Sequence, residues 1–198
     1  MPETIRRLIM DVGVRPSEAM ISWENLDSIN RKLLDPVVRR FVFVLDPKPF
    51  EITGLNIEHT AKIPLHPDHP EWGFRTFTVG PGKGTILIPS ADADSLKAGS
   101  AFRLMNLFNV EVTEPGLGKF LSADVADAKR LGARILQWLP AGTGTPFSII
   151  RSDAKADTGV VDQSAIEADL PATFQFYRYG FVRVYREDDG VKGYFAHG

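Results

Sequence analysis

The chain has 198 residues, 43% of them hydrophobic and 24% charged, with 23 Lys and Arg against 25 Asp and Glu. This is an ordinary globular composition, long enough for one or two domains with a buried core. With no cysteine, no 18-residue apolar run and a net charge of −2, it excludes a disulfide scaffold, a thiolate metal site, a membrane-spanning helix and a surface coated in basic charge. Any nucleic-acid site must therefore be local.

The opening stretch "MPETIRRLIMDVG" carries acids and lacks a long apolar core, so it does not read as a signal peptide, and a cytoplasmic protein is expected. Ile5, Leu8, Ile9 and Val12 recur at helical spacing and Gly13 is a stop, which predicts a helix over 3–13. Pro16 and Ser17 read as a connector. Ser22 can cap a second helix over 22–34, with Leu26, Ile29 and Leu33 on one stripe. It ends at Asp35-Pro36, because the residue before proline avoids helical angles. After Pro36 the period changes, and about eleven short strand-like runs follow, separated by Gly- and Pro-rich turns. "AFRLMNLFNVEV" reads as one such run, and "SDAKADTGVVDQSAIEADLPA" (152–172) as a polar surface excursion. Helices followed by many short strands predict a mainly β protein of barrels or sandwiches behind a helical connector.

Most motif-like stretches have plain structural readings. Gly80–Gly84, "GPGKG", lacks the spacing of a phosphate loop and opens no helix, so a hairpin turn is expected. His66 and His69 in "HPDHPEWG" would need a third ligand to hold a metal, with His59 the nearest histidine, and a proline-stiffened structural loop is the better reading. There is no GxSxG, HExxH or Walker A pattern, and Glu187-Asp188-Asp189 reads as a hairpin turn. No catalytic and no metal-binding residue is expected.

One strip stands apart. "FQFYRYGFVRVYR", from Phe174 to Arg186, holds three arginines and no acid in a slightly acidic chain. Alternation places Val182 and Val184 on one strand face, with Phe181, Arg183 and Tyr185 on the other, and Gln175 opposite Phe174 and Phe176. The plain reading is an amphipathic hairpin with a solvated polar face. The functional reading is a platform on which unstacked bases lie on aromatic rings, their edges bonded by Arg and Gln. Arg39-Arg40 opens the first strand and Arg103 lies in a third, each unremarkable alone.

The chain also resembles a known family. "IRRLIMDVGVRPSEAMISWENLDSINRKLLDPVVRRFVFVLDP", "IPLHPDHPEWG", "FRLMNLFNVEV" and the closing "FQFYRYGFVRVYRED" with "YFAH" are similar, in order, to the region after the catalytic domain of archaeal-type glutamyl-tRNA synthetases. The glutaminyl enzymes share this half more distantly. The resemblance implies two β-barrels of the anticodon-binding type, related to a ribosomal-protein barrel: a connector over 1–38, a proximal barrel from 39–85 plus 152–198, and a distal barrel over 86–151. It implies tRNA-Glu as partner, with tRNA-Gln open, and the catalytic domain of the same enzyme as a second partner. That domain's signatures are absent here, so the resemblance implies a C-terminal fragment or freestanding domain that binds tRNA and is inactive alone. ATP and Mg would serve the full-length enzyme, and no cofactor is expected in this chain.

Residue roles carry over only by position. The resemblance implies that Arg40, Gln175 and Arg178 hold the middle anticodon base, U35, and that Arg103 contacts base 34, although Met105 stands where the relatives have a second arginine. Arg39, Tyr177 and Arg183 are secondary candidates. Base 36, which separates the Glu from the Gln anticodon, has no match. Three alternatives stay open: the equivalent module of a glutaminyl enzyme, a ribosomal-RNA-binding barrel, and a barrel whose aromatics cover a protein partner. Binding that weakens steeply with salt would separate RNA from protein.

Overall fold

The computed structural model describes residues 1–13, 22–188 and 190–198. Pro16 and Ser17 lie outside these. Two helices lead: α1 (Pro2–Val12) and α2 (Trp23–Leu34). Gly13 ends α1 at φ 65°, with its amide donating to the Ile9 carbonyl, and Ser22 caps α2 by accepting from the Asn25 amide. These are the predicted boundaries to within a residue. The predicted apolar stripes hold only in part. Leu8 and Leu34 are buried, whereas Ile5 and Ile9 are 57% and 62% exposed. Leu34, one position past the expected Leu33, closes on Val38 and Phe181.

The remainder is mainly β and pairs into two seven-segment sheets and a hairpin. In the first sheet Arg40–Phe41 lies at one end and Phe43–Leu45 at the other. These two segments are one run of chain interrupted at Val42, so the sheet returns on itself as a barrel. In the second sheet the ends are Arg134–Leu136 and Leu139–Pro140, one run interrupted at Gln137 and Trp138. Each barrel thus closes through a single broken strand. The hairpin His59–Pro64 with Phe74–Val79 stands beside the second barrel and shares its core.

Strand pairing does not follow the expected domain boundaries. Pro47–Leu55, expected in the first barrel, and Gly82–Pro89, which spans the expected boundary after residue 85, pair within the second. Gly144–Ile150, expected in the second, pairs within the first. The expected excursion over 152–172 is corrected too: Ala156–Asp162 is a strand between Gly144–Ile150 and Phe43–Leu45. Its polar outer face hid it, but Val161 is fully buried, and a Cβ on Gly159 would stand 2.3 Å from the Val44 carbonyl. Residues 80–84 do not form a hairpin: Gly80 and Pro81 link Phe74–Val79 to Gly82–Pro89, and these two strands pair elsewhere. The "AFRLMNLFNVEV" run is a hairpin, Ala101–Leu104 with Asn109–Glu114. The "EDDG" hairpin holds, with Glu187 opposite Gly190. Asp189 lies outside the described residues.

Candidate nucleic-acid interface

Strand Arg40–Phe41 runs parallel to Ala172–Phe176, with Arg40 beside Gln175. Gln175 pairs in turn with Phe181, and Phe181 with His197. Laterally paired residues point to the same side of a sheet. Arg40, Gln175, Phe181 and His197 therefore form one row across four strands. The end of α2 covers the apolar half through Leu34, Val38 and Phe181, and the Phe181 and His197 rings lie 4.7 Å apart. The polar half keeps partial exposure.

Arg40 is held on three sides. Its Nη2 donates to Asp35 Oδ1 at 2.9 Å, its amide donates to the Leu65 carbonyl at 2.7 Å, and its own carbonyl accepts from Arg75 Nη1 at 2.6 Å. Arg40 Nε is buried and unpartnered, and so is Gln175 Oε1 next to it. A donor and an acceptor are thus left without partners on two residues that share one row of the sheet. A buried polar atom without a partner is unfavourable, so the pair favours a ligand offering an acceptor and a donor side by side.

Behind this pair lies a buried ion pair. Arg75 Nε is 2.5 Å from Asp162 Oδ2, with both side chains at least nine-tenths buried. The Arg75 guanidinium also lies 5.3 Å from the Phe41 ring, 5.8 Å from Phe77 and 5.9 Å from Tyr177. Burial pushes its pKa below the ordinary arginine value, and the Asp162 carboxylate opposes that shift.

Arg178 sits in the turn joining Ala172–Phe176 to Gly180–Glu187, at φ 58°, in the left-handed region. Its Nη1 and Nη2 bond Asp92 Oδ2 and Oδ1 at 2.6 and 3.0 Å. Asp92 belongs to the short helix Ser90–Ser95, which follows a strand of the other barrel. Its side chain is 8% exposed, against 47% for Arg178. The fork joins the two barrels while about half of the Arg178 side chain stays exposed.

The other candidates separate. Arg39 is exposed, and its carbonyl accepts from the Gln175 amide at 3.0 Å. Arg183 is half-buried, donates to Thr173 and lies 5.6 Å from the Tyr185 ring. Tyr177 packs against the second barrel's core. Arg103 is 8% exposed, and its terminal nitrogens donate to Asn109 Oδ1 and to the carbonyls of Ala123 and Leu107 at 2.9–3.2 Å. Its strand, Ala101–Leu104, pairs inside the second barrel, and Arg103 holds the loop after that strand.

The expected aromatic platform is corrected. Phe174, Phe176 and Phe181 are at most 3% exposed and are core residues. Alternation placed Phe181 outward, which is right, but α2 lies over that face. Tyr179 donates to Asp157 Oδ2 at 2.8 Å, and burial first, then this bond, raises its phenol above the ordinary range. Tyr185, 39% exposed, is the strip's one well-exposed ring among the described residues.

The histidine loop has a structural use. His66 is fully buried, its Nε2 donating to the Asp35 carbonyl at 2.7 Å while Nδ1 accepts from the Asp68 amide. His69 stacks on Trp72 at 4.2 Å and bonds the Pro36 carbonyl at 3.0 Å. Both rings tie the end of the connector to the loop of the His59–Pro64 and Phe74–Val79 hairpin, next to Asp35 and Arg40. Among the described residues no group of three metal-ligating side chains comes together. Reading the sequence for function overlooked Asp35, Arg75 and Asp92. Asp35 was visible as a helix terminator, and "SADADS" around Asp92 carries no local signal at all.

Residues 38–122 match the family described as tRNA synthetases class I (E and Q), anti-codon binding domain. The chain is 42% identical over 205 residues to the glutamate--tRNA ligase of Pyrococcus abyssi, covering 100% of this chain and 35% of that protein. It is 36% identical to the same-named protein of Methanopyrus kandleri, with 99% and 35% covered, and 33% identical to that of Methanothermobacter thermautotrophicus, with 99% and 34% covered. It spans about a third of the length of these relatives. Residues 38–122, which supply strands to both barrels, thus belong to the anticodon-binding domain family of the class I tRNA synthetases for glutamate and glutamine.

Proposed function

We propose that the chain reads the anticodon of tRNA-Glu for a glutamate--tRNA ligase, with tRNA-Gln as a second substrate that the base-36 contact would decide. The observation that carries this reading is an unpartnered donor and acceptor on two residues paired across strands, Arg40 Nε and Gln175 Oε1, together with the half-exposed side chain of Arg178. A uracil edge alternates acceptor, donor and acceptor. Its ring N–H suits Gln175 Oε1, and a flanking carbonyl suits Arg40 Nε. Arg39 and Arg183 lie close by for phosphates, which position without specifying. Arg103 would act by shaping the loop near base 34 rather than by touching the base.

Activation of glutamate with ATP and Mg belongs to the rest of a longer enzyme, whose catalytic domain is the second partner of this chain. A cytoplasmic location follows from that role. The strip's phenylalanines are buried and Tyr185 is its one well-exposed ring among the described residues, which leaves little aromatic surface for the protein-binding alternative.

The test is titration of this chain with tRNA-Glu and with the same tRNA changed at U35, at two salt concentrations. The unaltered tRNA should bind more tightly by about 1–3 kcal/mol, the range for losing a bidentate base contact. Gln175→Ala should remove most of that difference. Equal affinity of the native chain for both tRNAs would reduce the site to an electrostatic dock.

A further inference from the structure

We infer that Asp92 is a specificity-determining positioning residue: by holding Arg178 across the two barrels it makes that arginine a reader of bases rather than a binder of phosphates. This rests on the reading that Arg178 faces the anticodon.

The geometry is that of a built contact. Two parallel bonds, at 2.6 and 3.0 Å, fix the plane of the guanidinium, not merely its charge. The Asp92 side chain is almost fully buried and the Arg178 side chain about half exposed. Arginine has five N–H donors; the fork uses two and leaves three, one on each terminal nitrogen and one on Nε. The backbone is held as well: Arg178 keeps a left-handed φ of 58°, a conformation a non-glycine residue retains only where its surroundings enforce it.

The charge argument gives the specificity. A bare arginine is attracted to any phosphate, and every nucleotide carries one. An arginine already paired with a carboxylate gains much less there, because the pair is neutral overall. Its remaining donors can still bond a base edge, where orientation decides the outcome. Asp92 also carries a reserve. Arg134 Nη2 lies 3.8 Å from the same Oδ1 and donates to Ser95 Oγ within the same helix. The buried carboxylate therefore stays partly compensated when RNA draws on Arg178.

The first strand repeats the arrangement more weakly. Arg40 bonds Asp35 through one nitrogen, and there the carboxylate is 43% exposed. The fork on Arg178 is the stricter of the two.

The experiment measures Kd for tRNA-Glu and for the U35-changed tRNA, at two salt concentrations, with the native chain, Asp92→Asn, Asp92→Glu and Arg178→Ala. The discrimination ratio is taken on one preparation, so any unfolded fraction cancels. Asp92→Asn should tighten binding of the U35-changed tRNA, steepen the salt dependence by about one phosphate contact, and cut the discrimination ratio at least five-fold. Asp92→Glu keeps the charge but shifts the fork by one methylene. It should cut the ratio while leaving the salt dependence as in the native chain, and it carries the test if Asp92→Asn does not fold. A native ratio in both Asp92 variants, with Arg178→Ala reducing it, would overturn the role of Asp92 alone. A native ratio in Arg178→Ala would instead overturn the reading of Arg178 as a base contact.

Discussion

The two barrels use arginine in opposite ways. In the first, Arg40 on its strand and Arg178 in the turn after Ala172–Phe176 are each bonded to one carboxylate, and each has donors left over. In the second, Arg103 lies on a strand as Arg40 does, but its terminal nitrogens end on Asn109 and two carbonyls and it is closed off from solvent. For Arg40 and Arg103 the residue type and the strand setting are the same. The number of acceptors within reach decides whether the guanidinium is a ligand-facing group or an internal brace. Arginine on a strand is therefore no site by itself, and the census of its partners is what separates function from packing.

Substitutions can break this contrast, and the largest effect should come from the ion pair behind the first site. Arg75→Ala leaves Asp162 buried without its cation, and urea unfolding should show a loss of about 3–5 kcal/mol. A loss below 1 kcal/mol would mean that Asp162 finds water or a new partner. Next comes the brace itself. Arg103→Ala should destabilise by about 2–3 kcal/mol through the stranded carbonyls and Asn109. Its discrimination between tRNA-Glu and the U35-changed tRNA should be unchanged. A lost discrimination with native stability would reverse the assignment of Arg103.

A smaller effect follows from His197 at the far end of the polar row. Burial holds its pKa below the ordinary 6.5, opposed by Asp27, with Arg31 and the N-terminus adding to the shift. The unfolded chain then binds a proton that the folded chain does not. Stability should be flat above pH 6.5 and fall below it, by at most about 1.4 kcal/mol per pH unit for this one group. His197→Phe, measured by thermal unfolding from pH 7.5 to 5, should flatten that part of the profile. The smallest effect belongs to Gln175→Leu. Its Oε1 bonds nothing, so stability should change by no more than about 0.5 kcal/mol while U35 dependence falls. A large destabilisation would place Gln175 with Arg103 among the braces.

Much of the fold was legible from local chemistry. Gly13 and Ser22 announced the helix ends, and the period-two runs announced strands, because capping and alternation act within a few residues. The stretch Ala156–Asp162 was missed because its outer face is polar and only its partners show that Val161 lies inside. The break in "AFRLMNLFNVEV" was missed because Leu107 and Phe108 keep the turn apolar. At the site, Arg40, Gln175 and Arg178 could be named from the resemblance, and the row that joins Arg40 to Gln175 follows from sheet register alone.

The sequence by itself determined the class of the protein: a helical lead, many short strands, one basic strip, and motifs in the order of a tRNA-synthetase family. Tertiary structure alone decided which members of the strip are available. Burying an aromatic ring or satisfying a guanidinium depends on what another part of the chain brings within a few ångströms. Leu34 and Val38 of the connector cover Phe181, and Asp92 of the second barrel takes hold of Arg178, 86 positions away in the chain. Nothing local to residues 172–187 encodes either contact, because both arise between segments far apart in the chain that meet only in the folded protein.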